Sequence, residues 1–230
     1  MRAIRPARGS RIRRAVEVVA TVINEDRAFR RAVRRMPRPV PWDWAKPRIL
    51  PLLAGPYLDA DDDPPVRRVS DIGCTLMYGL EVGPALPLVD VQVAERWECT
   101  ADQIHEVAMA NLTARASQLP SSTVRGGTLS GRTIQITDRK LSWASSLVLV
   151  PDQLMRLFGS DDQVLCAPGH SVLISFPLST PAEVVADVLI DFEMGQTWPL
   201  MLDPFVLLDG RLYWDSGDDN EDDVDEQDHA

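Results

Sequence analysis

Between Asp161 and Trp214 the chain spells a hairpin, a helix with start signals and a second hairpin in direct succession, and few other segments constrain the fold as strongly. Residues 163–167 and 171–176 are apolar, strand-like runs around Pro168-Gly169, where glycine is expected to supply the positive φ of a tight turn. Thr180-Pro181-Ala182-Glu183 then reads as an N-cap, a proline at the first helical position and a capping-box glutamate. Val184, Val185, Val188, Leu189 and Phe192 follow at helical spacing. Residues 205–208 and 211–214 flank Asp209-Gly210, a strong short-range hairpin signal. The expected class is α+β: one domain with an antiparallel or mixed sheet and three to four packed helices.

Upstream, the same reasoning gives a strand over 49–53 and an exposed, aspartate-rich loop over 58–65. Residues 74–82 and 86–93 read as an antiparallel pair joined across Gly83-Pro84. Thr100 to Gln103 matches a capping box that opens a helix to Gln118, with Ile104, Val107, Ala108, Asn111 and Leu112 on its inner face. Residues 123–131, rich in glycine, read as a loop or hairpin turn, and 133–137 as a strand. Residues 143–150 fit strand and helix equally, and Pro151 suits the first turn of a short helix ending at Gly159.

Charge is sorted along the 230 residues: +10 over 1–48, −11 over 49–214 and −9 over 215–230, which make up the net −10. Ser10 is a candidate cap for a helix from Ile12, continued by a basic face of Arg27, Arg30, Arg31, Arg34 and Arg35. The prolines of 37–41 end it and begin a semi-rigid linker, with Trp42 and Trp44 docked on the body. The expected organisation is a basic helix and linker over 1–47, an α+β domain over 48–214 and a disordered acidic tail over 215–230. No apolar run approaches the roughly 20 residues that span a bilayer, and Glu17 interrupts the one stretch resembling a signal peptide, so a cytoplasmic protein is expected.

Chemistry-bearing residues are sparse. Cys74, Cys99 and Cys166 are an odd number without a CxxC pair, and the histidines are scattered, so neither disulfides, metal nor cofactor is expected. Cys166 and His170 are the nearest Cys/His pair, set around a hairpin without an apparent third residue to orient them. Asn111 is the one carboxamide on an apolar helix face; it either ties a neighbouring backbone in place or lines a pocket. With Ser145, these residues form the pocket candidates Asn111, Ser145, Cys166 and His170. Asp187 and Asp191 lie on one helical face, which solvation explains. The arginine face is the one candidate for nucleic acid; no recognition motif accompanies it and the body is net acidic, which disfavours that partner.

Tyr78-Gly79-Leu80, Leu88-Val89-Asp90, Trp97, Ala110-Asn111-Leu112, Ala144-Ser145, Ala167-Pro168 before Val172-Leu173-Ile174, and the segment from Gly195 to Tyr213 resemble, in this order, the YtpQ-like family of bacterial proteins. The resemblance covers about residues 48–214. It implies a cytoplasmic α+β domain of unknown function with no established catalytic residues. Two features depart from the family pattern: the arginine-rich segment stands in place of a longer N-terminal one, and Ser171 replaces an acidic residue. The expected role is a noncatalytic binding or regulatory module, with a protein as the expected partner. The alternatives are an enzyme with a pocket near Cys166, His170 and Asn111, or nucleic-acid association through the arginine-rich helix.

Overall fold

The computed structural model describes residues 29–55, 64–83, 85–129, 132–137, 141–196 and 199–214. The expected helix from Ile12, its Arg27, most of the 58–65 loop and the acidic tail lie outside these residues.

Residues 29–33 are helical and Trp42–Ala45 form a single turn. Then come strands β1 (Ile49–Leu53), β2 (Arg67–Val69) and β3 (Thr75–Leu80), and helices α1 (Val91–Arg96) and α2 (Ala101–Gln118). A hairpin of β4 (Val124–Leu129) and β5 (Arg132–Thr137) precedes a 3-10 helix over Ala144–Leu149 and helix α3 (Pro151–Phe158). The chain continues with β6 (Gln163–Gly169), β7 (Val172–Pro177), α4 (Ala182–Glu193), β8 (Phe205–Leu208) and β9 (Arg211–Tyr213). Among the described residues every strand pairing is antiparallel, in two sheets ordered β1-β3-β2 and β4-β5-β7-β6-β8-β9. The fold is α+β.

One core joins both sheets. Leu50, Leu52 and Leu76 of the smaller sheet meet Leu165, Leu173 and Phe205 of the larger one, with Leu112 of α2 and Leu147 of the 3-10 helix between them. Period-two alternation decides the rest: Cys166, Ile174 and Phe176 point to the opposite face, where Val185, Val188 and Leu189 of α4 cover them. Trp42 and Trp44 pack, as expected, on a third cluster around Tyr78, Trp97 and Ile104. The Trp97 indole N–H donates to Val40 O (2.8 Å), and the Trp42 and Trp97 rings lie 5.3 Å apart.

The local signals succeed where they specify backbone directly. Thr100 and Gln103 form both halves of a capping box. Gly159 closes α3 at φ 72°, and Asp209 and Gly210 take φ 49° and 71°, the two positive values of a tight primed turn.

Four expectations fail for identifiable reasons. Residues 86–93 make only single bridges (Gly79 with Leu88, Pro65 with Asp90), because Pro87 cannot donate to a ladder. From Asp90 they turn helical, its carboxylate accepting from Val93 N at 2.6 Å. Residues 124–129, expected within a loop or hairpin turn, are a strand paired to β5 at every position; the hairpin forms, but Gly126 and Gly127 lie in its first strand. The Thr180 capping box does not form: Thr180 N donates back to Pro177 O (2.9 Å), and α4 starts after Pro181 without a side-chain cap. Gly169 has no positive φ; a Cβ there would come within 2.8 Å of Gln196 Oε1, so a larger residue would have to displace the Gln196 side chain. The ambiguous 143–150 segment resolves to a buried 3-10 helix wedged between the sheets, where Ser146 Oγ donates to Pro51 O (2.6 Å).

Candidate functional site

The β6–β7 turn is only half exposed: Pro168 and Gly169 leading into it are buried, and His170 and Ser171 are half-buried, although turns normally leave their peptide groups to water. Elements far apart in sequence supply its partners. Ser145 N donates to His170 O (3.0 Å), Leu200 N donates to Pro168 O (3.3 Å), and Gln196 packs on Gly169. At the end of α4, the Glu193 carboxylate accepts a hydrogen bond from the Met201 backbone N–H.

Around this turn three buried polar atoms have no hydrogen-bond partner: Ser145 Oγ, His170 Nδ1 and Glu193 Oε1. His170 keeps some exposed surface, but its Nδ1 is buried, and loss of solvent pulls the imidazole pKa down to about 4. Burial pushes the Cys166 thiol up to about 12, with the Glu193 charge adding to the effect. Glu193 is itself raised by burial, against the lowering effect of the Met201 N–H. The environment therefore favours a neutral thiol and a neutral imidazole, and makes the Glu193 carboxyl easier to protonate than a free one. A thiolate nucleophile needs the opposite, a cation or base that stabilises the anion.

Of the four pocket candidates, the structure links Ser145 and His170 directly, through backbone. Cys166 lies on the sheet face beneath α4. Asn111 serves elsewhere: its Nδ2 donates to Lys46 O (2.8 Å) and Ile49 O (2.9 Å), tying α2 to the start of β1. One turn on, Arg115 Nη2 donates to Pro47 O (2.7 Å), and Arg115 Nε meets Glu81 at 2.8 Å. Glu81 also accepts from the Trp143 indole (2.9 Å). This network fixes the entry of β1 from α2, β3 and the 3-10 helix together. Asn111→Ala is expected to leave two carbonyls unpaired and to lower stability by about 1–3 kcal/mol, read as a urea midpoint shift at constant slope. A shift indistinguishable from zero would return Asn111 to the list of pocket residues.

A second polar pair bridges the other end of α2. The Tyr78 hydroxyl and His105 Nδ1 are 3.1 Å apart, beside an Arg68–Asp102 ion pair of 3.4 Å. Burial raises the Tyr78 phenol to about 12 and lowers His105. Among the described residues, no three His, Cys, Asp or Glu side chains group closely enough to hold a metal ion, and no helix is long and apolar enough to cross a membrane. Of the basic face, Arg30, Arg31, Arg34 and Arg35 are exposed, while Ala32 beside them is buried.

Sequence reasoning missed one surface. Ile190, Met194 and Met201 are 54%, 80% and 49% exposed. Ile190 and Met194 are one helical turn apart, and the Met201–Glu193 hydrogen bond brings Met201 to the same end of α4. Asp187 and Asp191 are exposed on the same helix. The signal was available: Ala186, Ile190 and Met194 repeat every four residues as a second apolar stripe, outside the one that faces the sheet. Comparison with protein-family models, with curated proteins and with solved structures finds no match to this chain.

Proposed function

We propose that the chain is a noncatalytic binding module of a regulatory kind, which docks a partner protein segment on the outer surface at the end of α4. The exposure of Ile190, Met194 and Met201 carries this reading. Methionine is unbranched and polarisable, so it adapts to partners of different shape. Met201 sits at φ 50°, a region that non-glycine residues seldom occupy, and such strain concentrates at functional surfaces. Asp187 and Asp191 select a segment whose apolar side is bordered by basic residues. The buried, protonated Cys166 supports binding over thiol catalysis. In this reading residues 48–214 are the YtpQ-like, cytoplasmic body, and the arginine-rich segment tunes association electrostatically.

The test uses the full chain and a labelled synthetic amphipathic helix of leucine and arginine, followed by fluorescence anisotropy at roughly 150 mM salt, where weak surface attraction is screened. Ile190→Ser combined with Met194→Ser removes apolar surface and leaves the charge unchanged. The dissociation constant is expected to rise about tenfold, with the thermal midpoint unmoved because both residues are exposed. Equal affinity of the two proteins would remove the docking surface from the proposal.

A further inference from the structure

Between residues 29 and 48 seven basic residues stand against Asp43 alone, whereas the body over 49–214 is net acidic. Arg31, Arg34 and Arg35 recur three and four positions apart, which sets them on one side of a helical turn, and Arg38 follows; all four are exposed. Among the described residues no carboxylate comes within ion-pair distance of any of them. The segment that bears them is nevertheless held in place. Ala32 is buried, Met36, Val40, Trp42 and Trp44 pack around Tyr78 and Trp97, and the Trp97 indole N–H donates to Val40 O. The arginines therefore form a fixed cationic patch whose like charges repel one another.

The other end of the described chain is anchored on the same small sheet. Trp214 stacks on Phe205, donates its indole N–H to Asp203 O (3.2 Å) and lies beside the β2–β3 turn, where a Cβ on Gly73 would stand 3.9 Å from its ring. Tyr78, in the cluster that holds Met36 and Val40, is five residues from Gly73, a separation of about 17 Å along an extended strand. The sixteen residues after Trp214 hold nine acidic groups and no base. A chain of that length spans up to about 50 Å, so the arginines are within its reach. The net-acidic body repels it, which leaves the cationic patch as the favoured surface.

We propose that residues 215–230 fold back onto the face of Arg31, Arg34, Arg35 and Arg38 in the same chain and keep it from other anionic partners. A guanidinium group pairs with a carboxylate through two parallel N–H donors, and nine acidic groups along sixteen residues offer such pairs in many registers. Tethering supplies the rest. A linked segment has an effective concentration in the mM range, so a bare affinity of about 0.2 mM keeps the face covered roughly four-fifths of the time. The contact is an electrostatic self-cover that an anionic partner must displace. It is independent of the α4 surface.

Arginine modification by phenylglyoxal, followed residue by residue with mass spectrometry, tests the contact in the full chain at low salt and about 1 µM, far below the effective concentration of a tethered segment. The reference is a full-length variant in which the acidic residues of 215–230 are replaced by Asn and Gln. Relative to the exposed Arg125, the four arginines are expected to react about fivefold more slowly in the parent than in the variant. Labelled oligoglutamate should bind the variant about fivefold more tightly, because its face is uncovered. Salt at about 1 M, where the Debye length is about 3 Å, should bring the parent's four arginines up to the variant's rates. That arm reads the parent alone against its own low-salt rates, so it stands even if the variant fails to fold. Equal rates at low salt, protection that survives 1 M salt, or protection that grows with protein concentration, as cover by another copy requires, would overturn the proposal.

Discussion

Phe205→Ala is expected to lower stability by about 3–5 kcal/mol and the thermal midpoint by roughly 10 °C. The side chain is fully buried in β8, opposite Leu165 of β6, and its ring stacks on Trp214 with centroids 6.0 Å apart at 26°. Truncation removes that contact and opens a cavity in the core shared by both sheets. The neighbours are poorly placed to fill it, since Leu165 and Leu207 are fixed by strand register and the 3-10 helix by its hydrogen bonds to Pro51 and His170. Against a total of about 5–15 kcal/mol for a folded protein, this is a large fraction. Because Leu50, Leu52 and Leu76 share the cluster, the damage should reach the smaller sheet. Hydrogen exchange read by mass spectrometry is therefore expected to show β3 amides losing protection together with those of β6 and β8. If β3 keeps its protection while β8 opens, the two sheets are separate cooperative units.

That shared core was only half visible in the sequence. Asp209-Gly210, Thr100 with Gln103, and Gly159 were legible because each residue acts on backbone within three or four positions of itself. The 3-10 helix was not, because a run such as Ala144–Leu149 is defined by what lies on either side: Pro51 takes one serine hydroxyl, His170 the backbone of the other. Gly169 shows the same limit. A turn glycine suggests a dihedral requirement, yet Gly169 has no positive φ, and what packs on it is the side chain of Gln196, distant in sequence. Asn111 was legible as an anomaly on an apolar face, but its partners at Lys46 and Ile49 could not be named without tertiary structure. The Ile190 and Met194 stripe is present in the sequence, but it is overshadowed by the stronger apolar face of Val184, Val185, Val188, Leu189 and Phe192 on the same helix.

The buried histidine should make this protein sensitive to acid in a particular window. In the unfolded chain an imidazole titrates near 6.5, whereas burial holds His170 near 4. Between those values the unfolded chain carries the proton and the native one does not, so stability falls as pH drops from about 6.5 to 4. A separation of 2.5 units limits the loss to about 3 kcal/mol, complete below pH 4 and absent above about pH 7. Glu193 acts in the opposite sense. Its folded pKa is raised, so the native state holds that proton more firmly and gains stability as pH falls through the same region. The wild-type profile therefore contains both effects, together with those of the other carboxylates, and its slope alone identifies neither. His170→Gln isolates the histidine: glutamine cannot take up the proton, while the Ser145 N–H still finds the backbone carbonyl of residue 170. Urea midpoints at pH 7, 5.5 and 4.5 should show the variant losing less stability than the parent at each step, the gap widening to about 2–3 kcal/mol. Parallel profiles would mean that His170 Nδ1 has a hydrogen-bond partner that keeps the imidazole near its ordinary pKa, and its buried side would then be a solvated one.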